Sequence, residues 1–365
     1  MKKSSFPIVL ALVLGLSQLS SGFAASARCD RVILGAIRWD AWLGDETREG
    51  RAVEKSLGPP KWRDRWPVFQ GGTAESFDLD GTKPDTVRSE IDLAVRFGID
   101  YWAFVFYGNA SPMSSVLNQY LAANGTKPKF ALIVEAGRLT GESGIGYSQD
   151  LAGLLGNSNY LRDDAGRPIV YVMVPSTSKP KDLGYVFRRL HDAQRGSPPP
   201  SASVVVMSFN PTQAAEVARS LPEPHRISVY AWHGNELKGR YAQLVGYVER
   251  LWATQERMGV GVVPIVMAGW DPRPRIDNPM PWGSDYGVGA YYDMPTGAEF
   301  EQHVRDALQW KKRRPDGLCS VLVYAWNEFD EGGWIAPTKY DRDGRLDDIE
   351  RARKSVEPER RSHRR

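Results

Sequence analysis

Two kinds of chemistry-bearing residue are scarce in this chain. Its 365 residues include two cysteines and five histidines. The histidines are His191, His225, His233, His303 and His363, and none pairs at His-x-His or His-x-x-x-His spacing. That spacing is what turns two imidazoles toward one metal ion, and a mononuclear zinc hydrolase would usually show more of it. Neither a metal nor a cofactor is expected. A serine nucleophile elbow is missing as well: Gly141–Gly146 carries Ser143 without the Gly-x-Ser-x-Gly spacing. No glycine-rich phosphate turn follows the first predicted strand, where Trp39-Asp40-Ala41-Trp42 stands instead. Net charge is low, 47 Lys and Arg against 44 Asp and Glu. Outside the last fifteen residues the basic side chains are scattered, so no nucleic-acid partner is expected.

Long apolar runs are also absent, with one exception at the start. Lys2 and Lys3 precede the apolar Phe6–Leu16, and Ala25-Ser26-Ala27 is a small-residue cleavage site. This is the layout of an export signal rather than of a membrane span. Cleavage is expected after Ala27, with Ala24 the alternative. An uncleaved anchor is the competing reading, but Ser17, Gln18, Ser20 and Ser21 shorten the apolar run. Arg28 precedes Cys29, which argues against a lipoprotein. The mature protein is expected to be a soluble monomer, periplasmic or secreted, with no membrane insertion after cleavage.

What the chain does have is tryptophan and tyrosine, twelve and fifteen, several of them in predicted loops. It also has eight short apolar runs, separated by helix-length segments. The runs are Arg31–Trp39, Ile99–Tyr107, Lys129–Ala136, Ile169–Val174, Ser203–Asn210, Arg226–Trp232, Gly261–Ala268 and Ser320–Trp326. Solid apolar runs alternating with helices predict parallel strands with right-handed crossovers. Eight of them predict a single α/β domain of the (β/α)8 TIM-barrel type over residues 28–345. Long loops follow the first strand, Asp40–Lys83, and the seventh, Gly269–Pro295. An open doubly wound sheet is the alternative. Residues 346–365, rich in arginine, read as a basic, disordered tail.

The barrel also places the cysteines. Cys29 lies just before the first strand and Cys319 just before the eighth, and those strands are neighbours in a closed barrel. A Cys29–Cys319 disulfide is therefore expected at the amino-terminal face, in keeping with export.

Barrel enzymes keep their chemistry at the carboxyl ends of the strands. Those ends carry Trp39, Asp40, Tyr107, Glu135, Trp232, His233, Trp270, Asp271, Asn327 and Glu328, with Glu331 three residues further on. Flat aromatic faces pack against sugar rings, and carboxylates bond hydroxyls and run acid–base chemistry. A Glu-x-x-Glu pair is ordinarily solvated. Here Glu328 abuts a buried strand between Trp326 and Phe329, surroundings that raise a carboxyl's pKa. Glu328 and Glu331 are the expected catalytic pair, and the others the expected substrate contacts. Some of these have a plainer role open to them. His233 can be structural, and Trp232 and Trp270 can be core. Arg273 and Arg275 either recognise an anionic group or pair with Asp271 and Asp277.

Val323-Tyr324-Ala325-Trp326-Asn327-Glu328-Phe329-Asp330-Glu331-Gly332 resembles the Asn-Glu-Trp-x-Glu-Gly motif of family 99 glycoside hydrolases and the related WbsX-like domains. Trp270-Asp271-Pro272-Arg273-Pro274-Arg275 is similar to the WbsX-like segment after the seventh strand, and Ile99-Asp100-Tyr101-Trp102-Ala103-Phe104 to the family's second strand. The resemblance implies a metal-independent, retaining, endo-acting glycosidase of α-mannosidase type. Glu328 would act as base on the substrate 2-hydroxyl, giving an anhydro-sugar, and Glu331 as acid and then base. Phe329 departs from the family's tryptophan, and Asp330 adds a third acid. Competing functions are a WbsX-like glycosyltransferase, which export argues against, and a non-catalytic sugar-binding barrel.

Overall fold

A computed structural model describes residues 29–72, 77–177, 183–184, 188–189, 202–222, 224–283, 286–287 and 289–357. The expected export signal lies outside the described residues. The core is a curled, parallel sheet wrapped by helices. Its strands are β1 (Ile33–Arg38), β4 (Tyr101–Val105), β5 (Lys129–Glu135), β6 (Ile169–Met173), β7 (Ser203–Met207), β8 (Arg226–Ser228), β9 (Gly261–Val262), β10 (Ile265–Met267) and β11 (Ser320–Tyr324). They lie in the order β10-β11-β1-β4-β5-β6-β7-β8-β9. The two ends of that order are one stretch of chain, Gly261–Met267, interrupted at Val263-Pro264. Val263 still donates to Ile227, and Pro264 accepts from Leu322. The sheet thus meets itself across a proline that cannot donate to a ladder, and the architecture is TIM-like.

The strands are buried almost throughout, as their apolar runs require. Where β1 passes β4, Gly35 faces the Tyr101 ring, and a Cβ there would lie 2.1 Å from it. That space lets the Tyr101 hydroxyl reach both Tyr171 and Ser320, each at 2.8 Å, inside the barrel. At the amino-terminal face Cys29 and Cys319 form a disulfide, Cα atoms 5.5 Å apart. Ile33 donates to the Cys319 carbonyl beside it.

Two expectations need correction. The stretch after β1 is largely structured. It holds the helix Arg48–Leu57, capped by Thr47, a 3-10 turn Pro60–Arg65, and the small hairpin β2 (Gly71–Gly72) and β3 (Phe77–Asp78). The helix is held by Val53 and Leu57, both fully buried. The basic tail is likewise ordered over most of its length, since Gly344–Val356 is a helix. Leu346, Ile349 and Ala352 form a buried stripe along it, hidden in the sequence among charges. Arg353 then pairs with Asp100 at 2.8 Å and anchors the helix beneath β4. Residues 358–365 lie outside the described set.

Candidate active site

β11 carries the chain to the carboxyl-terminal face of the barrel. There it makes the short β12 (Asn327–Glu328), one 3-10 turn (Phe329–Glu331) and β13 (Gly333–Trp334), which pairs back on β12. Gly332 closes the turn at φ 80°, and a Cβ would sit 2.5 Å from the Asp271 nitrogen. Only glycine suits both the angle and the space. The close approach lets Asp271 N–H donate to the Glu331 carbonyl at 2.6 Å. That bond ties the loop after β10 to the loop after β11.

Arg275, on the short helix Arg273–Asp277, binds every carboxylate the turn offers. Its Nη2 donates to Glu328 Oε2 at 3.0 Å and to Asp330 Oδ1 at 2.7 Å, and its Nη1 donates to Glu331 Oε1. Tyrosines complete the cluster. Tyr230 donates to Glu328 Oε1 at 2.7 Å, Tyr286 to Glu331 Oε1 at 2.7 Å, and Tyr324 to Glu331 Oε2. Arg275 and the three acids are buried, Tyr230 and Tyr286 half-buried, so three acids share one guanidinium. Burial works against the Arg275 charge, but Asp330, Glu331 and Glu328 overcome it and hold the group well above its ordinary range. Burial also pushes Glu328 up, to about 8, reinforced by the Glu331 charge and offset in part by Arg275. At neutral pH the cluster therefore keeps a proton that isolated carboxylates would lose.

Phe329 faces away from this pair, and Asp330 joins it only through Arg275. Asp330 accepts from Ser56 at 2.8 Å beneath the helix Arg48–Leu57. Phe329 packs against Trp42, Phe69 and Trp334, with ring centroids 5.2, 6.3 and 6.3 Å apart. Both side chains thus contact the segment after β1.

Glu328 and Glu331 line a cavity of about 600 Å³. Trp39, Tyr107, Glu135 and Arg275 line it with them. Trp39 Nε1 donates to the Tyr107 hydroxyl at 2.8 Å, and Arg275 lies over the Trp39 ring at 4.7 Å. Arg138 stacks on Tyr107 at 4.4 Å and pairs with Glu135 at 2.9 Å. Trp282 stands at the rim, 39% exposed and 6.1 Å from the Trp39 ring. The cavity thus joins aromatic walls to a pair of acids.

Other expected contacts sit behind the cavity. Asp40 and Asn327 bond each other at 3.0 Å, and Asn327 also accepts from Trp39 N–H at 3.0 Å. Arg38 donates to Asp40 at 2.9 Å and to Glu90, which also holds the Trp326 indole. Burial pushes Asp40 up to about 6 against the Arg38 charge. Asp40 and Asn327 therefore brace the floor. Asp271 is buried between Arg65 and Arg273 and lines a different cavity. Trp270 stacks on His233 at 4.3 Å and packs at a tilt against Tyr324 at 5.9 Å, which backs the tyrosine that holds Glu331. His233 donates Nδ1–H to Gly234 O at 2.6 Å, and burial lowers its pKa. Trp232 is half-buried, its backbone N–H toward the Met267 sulfur. Arg273 does pair with Asp271, but Asp277 pairs with Lys61, and Arg275 turns to the glutamates. Among the described residues no group of three or more His, Cys, Asp or Glu is placed to hold a metal ion.

The tyrosines that hold the pair were not singled out in the sequence. Tyr230 had a signal, because it lies two residues before Trp232 and a strand's alternation puts both on one face. β8 ends early, at Ser228, so the residue that reaches the site is Tyr230. Tyr286 sits in a loop and carries no such signal.

Neither a protein-family model nor a curated protein matches the chain. Solved structures do. A protein described as glycoside hydrolase-like superposes with a TM-score of 0.57 at 14% identity, over 88% of this chain and 93% of that one. The GH99 endo-alpha-mannosidase of Bacteroides thetaiotaomicron gives 0.56 at 13% identity in complex with BIS-TRIS-propane, covering 88% and 95%. A second structure of the GH99 endo-alpha-mannosidase from this organism gives 0.55 at 11% identity, covering 88% and 96%. At these identities the likeness shows a shared fold, similar to that of family 99.

Proposed function

We propose that this chain is an exported, metal-independent glycoside hydrolase of (β/α)8 architecture. Its substrate is a polysaccharide or oligosaccharide, cleaved internally with retention at α-mannoside-like linkages. The observation that carries the reading is the Glu328–Glu331 pair. Two acids share one buried arginine at the end of the last barrel strand, on the floor of an aromatic-lined cavity. The shared fold with the endo-alpha-mannosidase supports the same reading. Carbohydrate rings would pack on Trp39 and Trp282, and Glu135 would accept from hydroxyls.

In this reading Glu328 is the base toward the substrate 2-hydroxyl. A sugar hydroxyl gives up its proton reluctantly, and a carboxylate with raised proton affinity is the stronger acceptor. As the 2-oxygen closes on the anomeric carbon, Glu331 gives its proton to the departing glycosidic oxygen. It then takes a proton from the water that opens the anhydro-sugar, while Glu328 returns its proton to the departing 2-oxygen and is restored as the base. The Tyr286 and Tyr324 hydroxyls orient Glu331 for both steps.

The test is a panel of α-mannans and bacterial exopolysaccharides, with product size and anomeric form followed by NMR. Wild type should release oligosaccharides with retained configuration. Glu328→Gln and Glu331→Gln should each be inactive and folded; full activity in both would remove the site. A rate that rises with pH toward about 8 marks Glu328 as the base. A rate that falls through that pH would make it the acid.

A further inference from the structure

A second cavity, about 610 Å³, opens on the other side of the Asp271–Glu331 contact. Asp271 and Arg273 line it, whereas Arg275 and Glu331 line the first, so the loop after β10 is the wall between the two. The cations of this second cavity differ in their commitments. Arg65 donates to the Asp271 carbonyl at 2.8 Å and to its carboxylate, and Arg273 grips the same carboxylate with two bonds of 2.7 Å. Those two are satisfied. Arg345 is not. It is 93% buried by its 7% exposure, lies over the Trp334 ring at 4.1 Å, and makes no ion pair with any described residue. Among the described residues its acceptors are the Trp334 carbonyl and, at 3.3 Å, the Met294 thioether, a weak acceptor. Asp341 and Asp348 act on it only at longer range, and burial pulls its pKa down to about 10.

A buried guanidinium with free donor capacity and no carboxylate in contact is costly to keep, unless an anion comes to it. The rest of the cavity says what kind of anion. Asp64, Asp293, Asp341 and Asp348 line it too, alongside Lys238 and Lys61, the latter paired with Asp277, so a doubly charged phosphate would be held off more than a singly charged carboxylate. Carboxylates suit hydroxyls as partners. Tyr340, 59% exposed, offers an open ring face at the mouth. We propose that the second cavity binds a carboxylate-bearing sugar unit, a uronic acid, whose carboxylate pairs with Arg345, whose hydroxyls meet the aspartates and whose ring face lies on Tyr340. The ligand class rests on the glycosidase reading. The glycan that enters the first cavity would then carry acidic units, held across the Asp271 wall.

Glucuronic acid, glucose and inorganic phosphate titrated into the protein by calorimetry test this. Glucuronic acid should bind saturably, and glucose and phosphate at least about tenfold more weakly. Glu331→Gln should bind glucuronic acid as wild type does, so a failure of the catalytic reading leaves this result legible. Arg345→Met should lose about tenfold or more in affinity. Tyr340→Ala, at an exposed position that folding does not depend on, should weaken it severalfold, and it decides the matter if Arg345→Met does not fold. Equal binding of glucose or phosphate, loss of binding in Glu331→Gln, or full binding in Tyr340→Ala or a folded Arg345→Met would each overturn the proposal.

Discussion

Tyr230 donates its hydroxyl hydrogen to Glu328 Oε1 across 2.7 Å. The bond favours the ionised carboxylate and works against burial and the Glu331 charge, which push Glu328 up. Removing it in Tyr230→Phe should raise the proton affinity of Glu328 further. If Glu328 is the base, its active form becomes scarcer at neutral pH. We expect kcat/KM at neutral pH to fall about tenfold, and the rising limb of the pH profile to move to higher pH. A uniform loss with an unmoved limb would show that Tyr230 only packs the cavity.

Glu328 also links pH to stability. Its folded pKa, about 8, lies above the ordinary glutamate value of 4.5. Between those two values the folded chain holds a proton that the unfolded chain releases. The group therefore costs stability as pH rises through that window, and the loss is complete above the folded pKa. Glu328→Gln cannot ionise. It should match wild type in urea melts near pH 4.5 and exceed it near pH 9, by an amount on the order of a few kcal/mol. A gap that stays constant with pH would place the raised affinity elsewhere.

The parts of this molecule that were legible are those written as local patterns. β11 delivers Glu328 and Glu331 where an apolar run ended in two acids. Thr296 and Glu299, three residues apart ahead of an apolar stripe, form a capping box, with Thr296 Oγ1 accepting from Glu299 N–H at 3.3 Å. Cys29 and Cys319 followed from strand adjacency alone. What the sequence concealed was direction. Asp40, Asn327 and Asp271 stand at strand ends like Tyr107 and Glu135, yet their side chains turn into the protein and bind one another or arginine. Type and position along the chain do not reveal which way a loop side chain points once the strand has ended. The helix Gly344–Val356 was hidden for a different reason, since its apolar stripe is only three residues wide in a segment dominated by charge.

Among the described residues Arg275 is the one cation shared by Glu328, Asp330 and Glu331. Arg275→Met would leave three buried acids facing each other. Breaking a buried pair in this way typically costs about 3–5 kcal/mol. The loss should be largest at high pH and shrink as the acids take up protons toward pH 4, because the folded state then binds more protons than the unfolded one. Arg275→Lys restores charge without the two-nitrogen fork that spans Glu328 and Glu331. It should recover part of the stability, measured by urea melts, and little of the turnover. Recovery of both would mean that only charge matters at this position.

The disulfide makes the opposite prediction. Cys29 and Cys319 flank β1 and β11 at the amino-terminal ends, where Ile33 pairs with Ser320. The glutamates stand at the other end of β11. The bond spans 290 residues of sequence, so its main effect is to limit the unfolded chain. Cys29→Ser with Cys319→Ser should lower unfolding free energy by about 2–4 kcal/mol. Because the barrel core separates the bond from the cavity, kcat/KM on any substrate should stay unchanged at temperatures where both forms are folded. Loss of turnover without loss of folded protein would instead show that the seam between β1 and β11 sets the position of the carboxylate pair.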